Sequence, residues 1–554
     1  MSVVGTAVKE TGVSLRTVFT NTALRRVNLA FAGSLIGDWA YITAIAVWAY
    51  GVGGATVVAA WAVVRMLLVA LFTPFAATLV DRMSRKVILV ASDLVRLVLL
   101  VLAAGAMTQD LTAVVFVLAA LASIMGTPFR PAMRALLPSL VSRPEELTAA
   151  NGTTSTLESL AFFVGPALAG LLLATTDVEV VLLFDAATFL WSALLIAGIR
   201  PHVPVTSAAD EEEAGPDVAE PGFLRETAEG ISFIARHADL RMVVLLCCAQ
   251  TVVAGAHAVF VVTIAFDLLD LGAPGVGYLE SVLGLGALAG GFLALSRASR
   301  QRLATDFAWG VVLWSVPLVI VALVPSFATA VLVMAILGLA NPLVDVNLDT
   351  LLQRLTPDRL LGRVFGALES AAIGTMALGA ALMPLLMSLV GLRWALAGLG
   401  LAVGACVLPA RARLISLDTR LRAPAALAIL RGIPMFSPLP STVLERLARQ
   451  VREVAVPAGG TVFSEGDVGD TFYLIQSGEV EISQAGALLR VELAGDHFGE
   501  IALLRDIPRT ASAAARVDTV LLALDQDVFL EAVTGNRDSE SAAEAIVSRR
   551  LLAA

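Results

Sequence analysis

The stretch VRMLLVALFTPFAATLVDRMSRK, Val64–Lys86, decides the fold. It is a long apolar run that ends abruptly in Asp81, Arg82, Arg85 and Lys86. A second stretch, LESVLGLGALAGGFLALSRASRQ (Leu279–Gln301), repeats its form. Aligned without a gap, Arg82 falls on Arg297, Ser84 on Ser299, Arg85 on Arg300, and Arg65 on Glu280. Downstream, TLES (Thr156–Ser159) mirrors ALES (Ala367–Ser370), which makes Glu158 and Glu369 counterparts. Each copy lies within a series of apolar runs.

The 554-residue chain is 58% hydrophobic and 15% charged, with a mean hydropathy of +0.84. Soluble domains are about 45–50% apolar and about 25% charged, so one soluble core is excluded and repeated membrane spans are implied. Apolar runs at 28–50, 54–80, 87–107, 111–127, 152–174, 179–199, 242–266, 275–296, 305–325, 327–348, 365–390 and 393–410 predict twelve helical spans in two groups of six. Alternate loops carry the basic residues, among them Arg82, Arg85, Lys86, Arg130, Arg134, Arg297, Arg300 and Arg354, with Arg393 the exception. Basic loops stay in the cytoplasm. Both termini are therefore expected there, in a multi-pass protein of the inner (plasma) membrane. The acidic, proline-containing stretch over 201–240 (Asp210, Glu211, Glu212, Glu213) reads as a solvated linker between the groups.

A duplicated six-span unit in parallel orientation is a transporter signature, since two similar bundles can rock about a central site. Cys247, Cys248 and Cys406 lie in apolar runs and the four histidines are scattered, so neither a disulfide framework nor a metal site is expected. There is no nucleophile–base set and no phosphate loop of the ATPase type, so the reading is not an enzyme and not an ATP-driven pump. Nothing points to a nucleic-acid partner; the expected partners are the bilayer and a small-molecule substrate.

Ionisable groups at mid-membrane cost about 2.5–3.5 kcal/mol each on insertion scales, so those present face a cavity or a partner. Asp38 and Glu158 are expected to carry a proton or a substrate, with Arg65 as counter-ion and Glu280 and Glu369 as candidates by symmetry. A buried arginine–carboxylate pair with only a structural role is the competing reading. Asp93 and Arg96, three apart on one helix face, read as a structural charge network beside the Asp81–Lys86 loop. Asp185 is a further intramembrane carboxylate with no role assigned. The rest of the cavity is expected to be apolar and poor in Trp and Tyr, suiting an amphipathic or hydrophobic solute.

After about residue 411 the character changes. STVLERLARQ (Ser441–Gln450) is helical in period, and VPAGGTVFSEGDVGDTFYLIQSGEVEIS (Val456–Ser483) alternates with glycine punctuation, as short strands of a β-roll do. FGEIALLRDIPRTASA (Phe498–Ala513) then supplies a close-approach glycine, a short helix and an arginine suited to a charge-assisted bond with phosphate.

Residues up to about 412 resemble the major facilitator superfamily, in its drug and siderophore exporter branch, through DRMSRK (Asp81–Lys86), GDWAYI (Gly37–Ile42), FRPAMRALLPSLV (Phe129–Val141) and GPALAG (Gly165–Gly170). Ala77 and Ser84 stand where the family has glycines. The resemblance implies that Asp81, Arg82, Arg85 and Lys86, with Asp93 and Arg96 beside them, form a conformational switch. GPALAG can equally be close helix packing through small residues.

Residues 431–554 resemble the cyclic nucleotide-binding domain. The resemblance implies that Phe498, Gly499, Glu500, Ile501, Ala502, Arg509, Thr510 and Ala511 hold cAMP or cGMP, with Arg509 on the cyclic phosphate and Glu500 on the ribose 2′-hydroxyl; Thr510 keeps cGMP open.

The fold expected is an α-helical membrane protein of twelve transmembrane helices in two six-helix halves, followed by a cytoplasmic α+β domain. Its parts are a cytoplasmic segment 1–27, halves 28–200 and 241–412 about the linker 201–240, a linker 413–430, and the nucleotide domain 431–554, which could also make a homo-oligomer. The function expected is secondary active export, coupled to protons if the carboxylates serve, under cyclic-nucleotide control. A lipid or lysolipid transporter, a non-transporting nucleotide-linked receptor, and a pump whose tail serves only assembly are the alternatives.

Overall fold

The computed structural model of the chain describes residues 20–141, 144–199, 223–297, 302–421 and 426–552. The expected segment 1–27 and linker 201–240 fall largely outside them, including Asp210 and Glu211–Glu213. The chain divides into two compact units, one through Arg420 and one from Leu421 onward.

The first unit is helical. Eleven helices among the described residues are long and apolar enough to cross a bilayer, against the twelve expected. The first, α1 (Thr22–Arg82), has 61 residues and leaves helical geometry at Gly53 (φ −167°) and Gly54 (φ +65°). Unbroken, it would extend about 90 Å, three times a hydrocarbon core of about 30 Å; the break divides it into two stretches, each of span length. Next come α2 (Arg85–Met107), α3 (Thr112–Gly126), α4 (Phe129–Leu136), α5 (Pro144–Leu173) and α6 (Val178–Ala197). The run read as a short span over 111–127 and a loop is continued by α4 and a 3₁₀ turn to Leu140.

The amphipathic α7 (Phe223–Arg236) precedes the second half: α8 (Ala238–Thr263), α9 (Gly272–Arg297), α10 (Leu303–Ser315), α11 (Leu318–Leu323), α12 (Phe327–Leu355), α13 (Asp358–Val390), α14 (Leu392–Ala405) and α15 (Val407–Leu421). Across the halves, α5 packs on α9 and α1 on α13. A Cβ at Gly170 would stand 3.1 Å from the Cα of Gly277 on α9, so this end of GPALAG permits backbone-to-backbone approach.

Where a linker is expected over 413–430, α15 stays attached to the first unit. Asp239 takes Arg413 at 2.6 Å and Arg420 at 2.8 Å. Asp418 accepts from the backbone N–H groups of Ala304 and Thr305 at the start of α10, where a carboxylate suits the helix dipole.

In the second unit, α16 (Ala426–Arg431) and α17 (Ser441–Gln450) precede eight strands: β1 Arg452–Val456, β2 Thr461–Phe463, β3 Thr471–Ser477, β4 Glu479–Gln484, β5 Ala487–Leu493, β6 His497–Phe498, β7 Ser512–Ala515 and β8 Thr519–Asp525. They form two antiparallel four-stranded sheets, ordered β1-β8-β3-β6 and β2-β7-β4-β5. Ile475, Val480, Ile482, Phe498, Ala513 and Leu521 fill one core. A second core joins Phe472 and Leu524 to Phe436, Leu430 and Phe529, beneath α19 (Gln526–Thr534) and α20 (Arg537–Leu552). The helix α18 (Glu500–Arg505) sits between β6 and β7.

Candidate functional sites

The cassette Phe498–Ala513 folds around one arginine. Gly499 adopts φ +93° and would bring a Cβ to 2.9 Å from Arg509 Nη1, so both its backbone and its lack of a side chain are required. Arg509 is 4% exposed. It donates from Nη1 to the Gly499 carbonyl (2.9 Å) and from Nη2 to the Thr471 carbonyl (2.7 Å), and its Cζ lies 4.2 Å from the centre of the Phe463 ring. Among the described residues its Nε has no acceptor. Burial pulls its pKa below the ordinary guanidinium value, opposed by Tyr473 and Asp470.

Glu500 is fully buried. Its Oε1 accepts from Arg550 of α20 at 2.6 Å, while its Oε2 has no donor among the described residues. Arg550 also donates to Glu492 (3.1 Å) and to the His497 carbonyl (2.9 Å), and Arg490 donates to the same Glu492 oxygen at 2.6 Å.

All eight residues expected at the nucleotide site line one cavity of about 40 Å³, together with Phe463, Ile482 and Arg490. That is well below the ~300 Å³ at which ligand pockets begin, so a nucleotide enters only as side chains give way. The chemistry fits one nonetheless. A buried guanidinium N–H without an acceptor suits a phosphate oxygen, and a buried carboxylate oxygen without a donor suits a hydroxyl. Arg509 spends two N–H groups on carbonyls and keeps Nε for a ligand, and Arg550, fifty residues from Glu500, was not foreseen.

The membrane unit has a cavity of about 720 Å³. Asp38, Arg65 and Glu369 face it as expected. The rest of the lining is apolar only in part: Leu35, Val69 and Phe189 are joined by Arg96, Arg130, Arg134 and Asp185, with Trp39 and Tyr41. The pairing also differs. Asp38 is ion-paired with Arg96, not Arg65, so Arg96 belongs to the cavity rather than to a network at the Asp81–Lys86 loop. Glu158 pairs with Arg130 at 3.1 Å. Helix rotation, invisible in spacing along the chain, puts these partners together. Arg65 lines the cavity, and among the described residues no carboxylate lies within bonding distance of it.

Glu280 pairs with His257 at 3.0 Å, a partner missed because the histidines looked scattered. In the loop after α1, Arg82 and Arg85 are exposed, and Lys86 donates to the carbonyls of Ala197 and Ile199 at 2.7 Å each, closing the end of α6. The Asp81 side chain lies outside the described residues, as do Ser299 and Arg300. Arg297 pairs with Asp306. Among the described residues no group of three or more His, Cys, Asp or Glu is placed to hold a metal ion.

The family model of the Major Facilitator Superfamily matches residues 27–307, just over half of the chain. The chain belongs to the Major Facilitator Superfamily. The model of the cyclic nucleotide-binding domain matches residues 453–536 of this transporter. Macrolide efflux protein A of Streptococcus pyogenes is 26% identical over 356 residues, which is 61% of this transporter and 82% of that protein. The cAMP-dependent protein kinase regulatory subunit of Aspergillus niger is 39% identical over 104 residues, 18% of this chain. The transporter spans only 25% of that subunit's length, so the likeness is to one domain of it. Among solved structures, the catabolite activator protein of Thermus thermophilus aligns over 21% of this chain and 58% of its own, at 31% identity and a TM-score of 0.20.

This is therefore a multi-pass major facilitator transporter fused to a C-terminal cyclic nucleotide-binding domain.

Proposed function

We propose that the protein is a secondary active exporter of an amphipathic small molecule, coupled to protons and controlled by cyclic nucleotide bound at its C-terminal domain. The observation that carries this reading is the pair of unmet buried atoms in the cassette, Arg509 Nε and Glu500 Oε2, in one chain with a transporter. Arg509 takes the cyclic phosphate and Glu500 Oε2 accepts from the ribose 2′-hydroxyl. Arg550 keeps the other Glu500 oxygen and so orients the carboxylate. The domain relative is named for cAMP, and Thr510 at the cavity leaves cGMP as the second nucleotide to test.

The membrane unit supports alternating access. Tyr50 of α1 donates to Asp267 beyond α8 and stacks on Phe266 with ring centres 4.7 Å apart, joining the halves at the end opposite the basic loops. The cavity runs to Arg130 and Arg134 on the basic side. By the distribution of basic residues that is the cytoplasmic side, so the arrangement is inward-facing. The switch loop Asp81–Lys86 would hold the cytoplasmic ends together in the opposite state.

The relative's name makes a macrolide the first solute to try. Cells expressing the protein should accumulate less radiolabelled erythromycin than cells without it. Raising internal cAMP in one of two matched cultures should change that rate, up or down, with the wild-type protein and leave it unchanged with Arg509→Ala. Equal accumulation with and without the protein, for macrolides and other amphipathic drugs alike, would overturn the export reading.

A further inference from the structure

Three aspartates from three helices surround one arginine in the first half of the membrane unit. Arg96 of α2 is ion-paired with Asp38 of α1, and its Cζ lies 3.9 Å from the centre of the Phe189 ring. Asp93, one turn before Arg96, is completely buried beside the Ser192 hydroxyl, and among the described residues neither of its oxygens meets a donor in good bonding geometry. Asp185 of α6 is also completely buried; its Oδ1 accepts from Thr188 Oγ1 at 3.1 Å and its Oδ2 has no donor. The site is built by close approach. A Cβ at Gly37 would fall 2.1 Å from Asp185 Oδ1 and 2.3 Å from Thr188 Oγ1. Only bare backbone on α1 lets the α6 carboxylate reach its place.

The charges do not balance. The charged groups facing Asp185 are Asp38, Asp93 and Arg96, while Arg65 and Tyr41 lie beside Asp38. Three ionised carboxylates against Arg96 and Arg65 would leave one negative charge uncompensated among largely buried side chains, at a cost of several kcal/mol. Two neutralising species fit such a place: an inorganic cation or protons. The carboxylates do not converge as metal ligands do among the described residues. Protons satisfy the other requirement, since a protonated carboxyl needs no cage of ligands and turns an unmet acceptor into a donor.

We propose that Asp185, backed by Asp93, is the site where this transporter takes up and releases its coupling proton. Asp185, Asp38 and Arg96 face the cavity; Asp93 does not. A proton passes from cavity water to Asp185 Oδ2 while Arg96 is engaged by Asp38. Movement of Arg96 toward Asp185 returns that proton to water and leaves Asp38 to be neutralised in turn. Asp185 and Asp93 are thus the coupling carboxylates that Asp38 and Glu158 were expected to be, and Asp38 becomes the alternative seat of the Arg96 charge. This rests on the reading of the protein as a proton-coupled exporter.

The test is infrared difference spectroscopy of the full-length protein in lipid nanodiscs, cycled between acid and alkaline buffer with no solute present. The expected result is a protonated-carboxyl C=O band that persists in neutral buffer and shifts in heavy water. It should lose intensity in Asp185→Asn and again when Asp93→Asn is added. Asp185→Glu should restore a band at a displaced position, and Asp177→Asn, at the exposed start of α6, should leave the band whole. Absence of the band from the wild-type protein in neutral buffer, or a band that Asp185→Asn leaves intact, would overturn the proposal. So would carboxylate bands that respond to sodium with no protonated carboxyl. If Asp185→Asn fails to fold, the wild-type band and its deuterium shift still decide. Because the readout needs no solute, a missing band sinks the proton site alone. An intact band with no drug export sinks the transport reading alone.

Discussion

Two buried arginines, each lying on a phenylalanine ring, are treated in opposite ways by this chain. Arg96 in the membrane unit has Phe189 beneath it and Asp38 at its guanidinium, with two further carboxylates close by. Arg509 in the soluble unit has Phe463 beneath it and only two backbone carbonyls to donate to. The protein supplies Arg96 with more negative charge than it can balance, and supplies Arg509 with none in contact. A guanidinium in carbonyl-only surroundings retains its demand for an anion, so a phosphate is stabilised there by a charge-assisted bond. A guanidinium among surplus carboxylates leaves a demand for positive charge, which a proton can meet. The same side chain makes an anion receptor in one place and a proton site in the other.

The largest effect should come from breaking the crowded site. Arg96→Leu takes the guanidinium from half-buried Asp38 and from the fully buried Asp93 and Asp185 beside it, and losing one partner of a buried pair costs about 3–5 kcal/mol. Thermal unfolding of the full-length protein in detergent should show a large fall in midpoint, or no folded protein at all. Arg509→Ala, which strands no carboxylate, should leave the midpoint far less changed. Equal falls would break the contrast between the sites.

The second effect is on affinity. Arg509→Ala should weaken cyclic-nucleotide binding about 30-fold or more, as truncating one partner of a buried charged pair costs about 2–5 kcal/mol. Arg550→Met should weaken it less, by about 10-fold, because it removes a charged hydrogen bond worth about 1.5–3 kcal/mol from the residue that orients Glu500. Isothermal titration measures both; an Arg550→Met loss as large as that of Arg509→Ala would place Arg550 on the nucleotide itself.

Asp38→Asn keeps the shape of the Arg96 partner but removes its charge. Solute-driven proton flux into proteoliposomes should slow severalfold, and an unaltered flux would remove Asp38 from the mechanism.

The smallest effect is a pH dependence of the soluble unit. Burial pushes His497 down to about 4, against about 6.5 for a free histidine. Above 6.5 the group is neutral in both states and contributes no slope. As pH falls from there toward 4, the unfolded chain gains a proton that the folded domain refuses, so stability is lost, by about 1 kcal/mol one unit below the free value. Hydrogen exchange in β3, β6 and β8 should speed up over that window, and His497→Gln should flatten the trend.

The two sites were unequally legible in the sequence. The cassette compresses its glycine, glutamate and arginine into sixteen consecutive residues, so local pattern places them all. Arg550, a member from outside the cassette, sits on a helix whose register against β6 no spacing reveals. Every member of the membrane cluster was visible as a charge in an apolar run, yet Asp38 was assigned to Arg65. Which charges meet depends on how α1, α2 and α6 are rotated about their own axes, and that is set by close contacts such as Gly37 against Asp185. The two-bundle plan was plain because apolar length and basic loops are properties of single segments. Its helix count turns on Gly53–Gly54, where α1 leaves helical geometry between two apolar stretches.

The most direct test of a transporter that carries its own nucleotide sensor is calorimetric titration of the purified full-length protein with cAMP and with cGMP, beside Arg509→Ala. A working sensor binds at least one nucleotide saturably in the wild-type protein and loses that binding in the variant. No binding of either nucleotide, or binding that Arg509→Ala leaves unchanged, would contradict a sensor role.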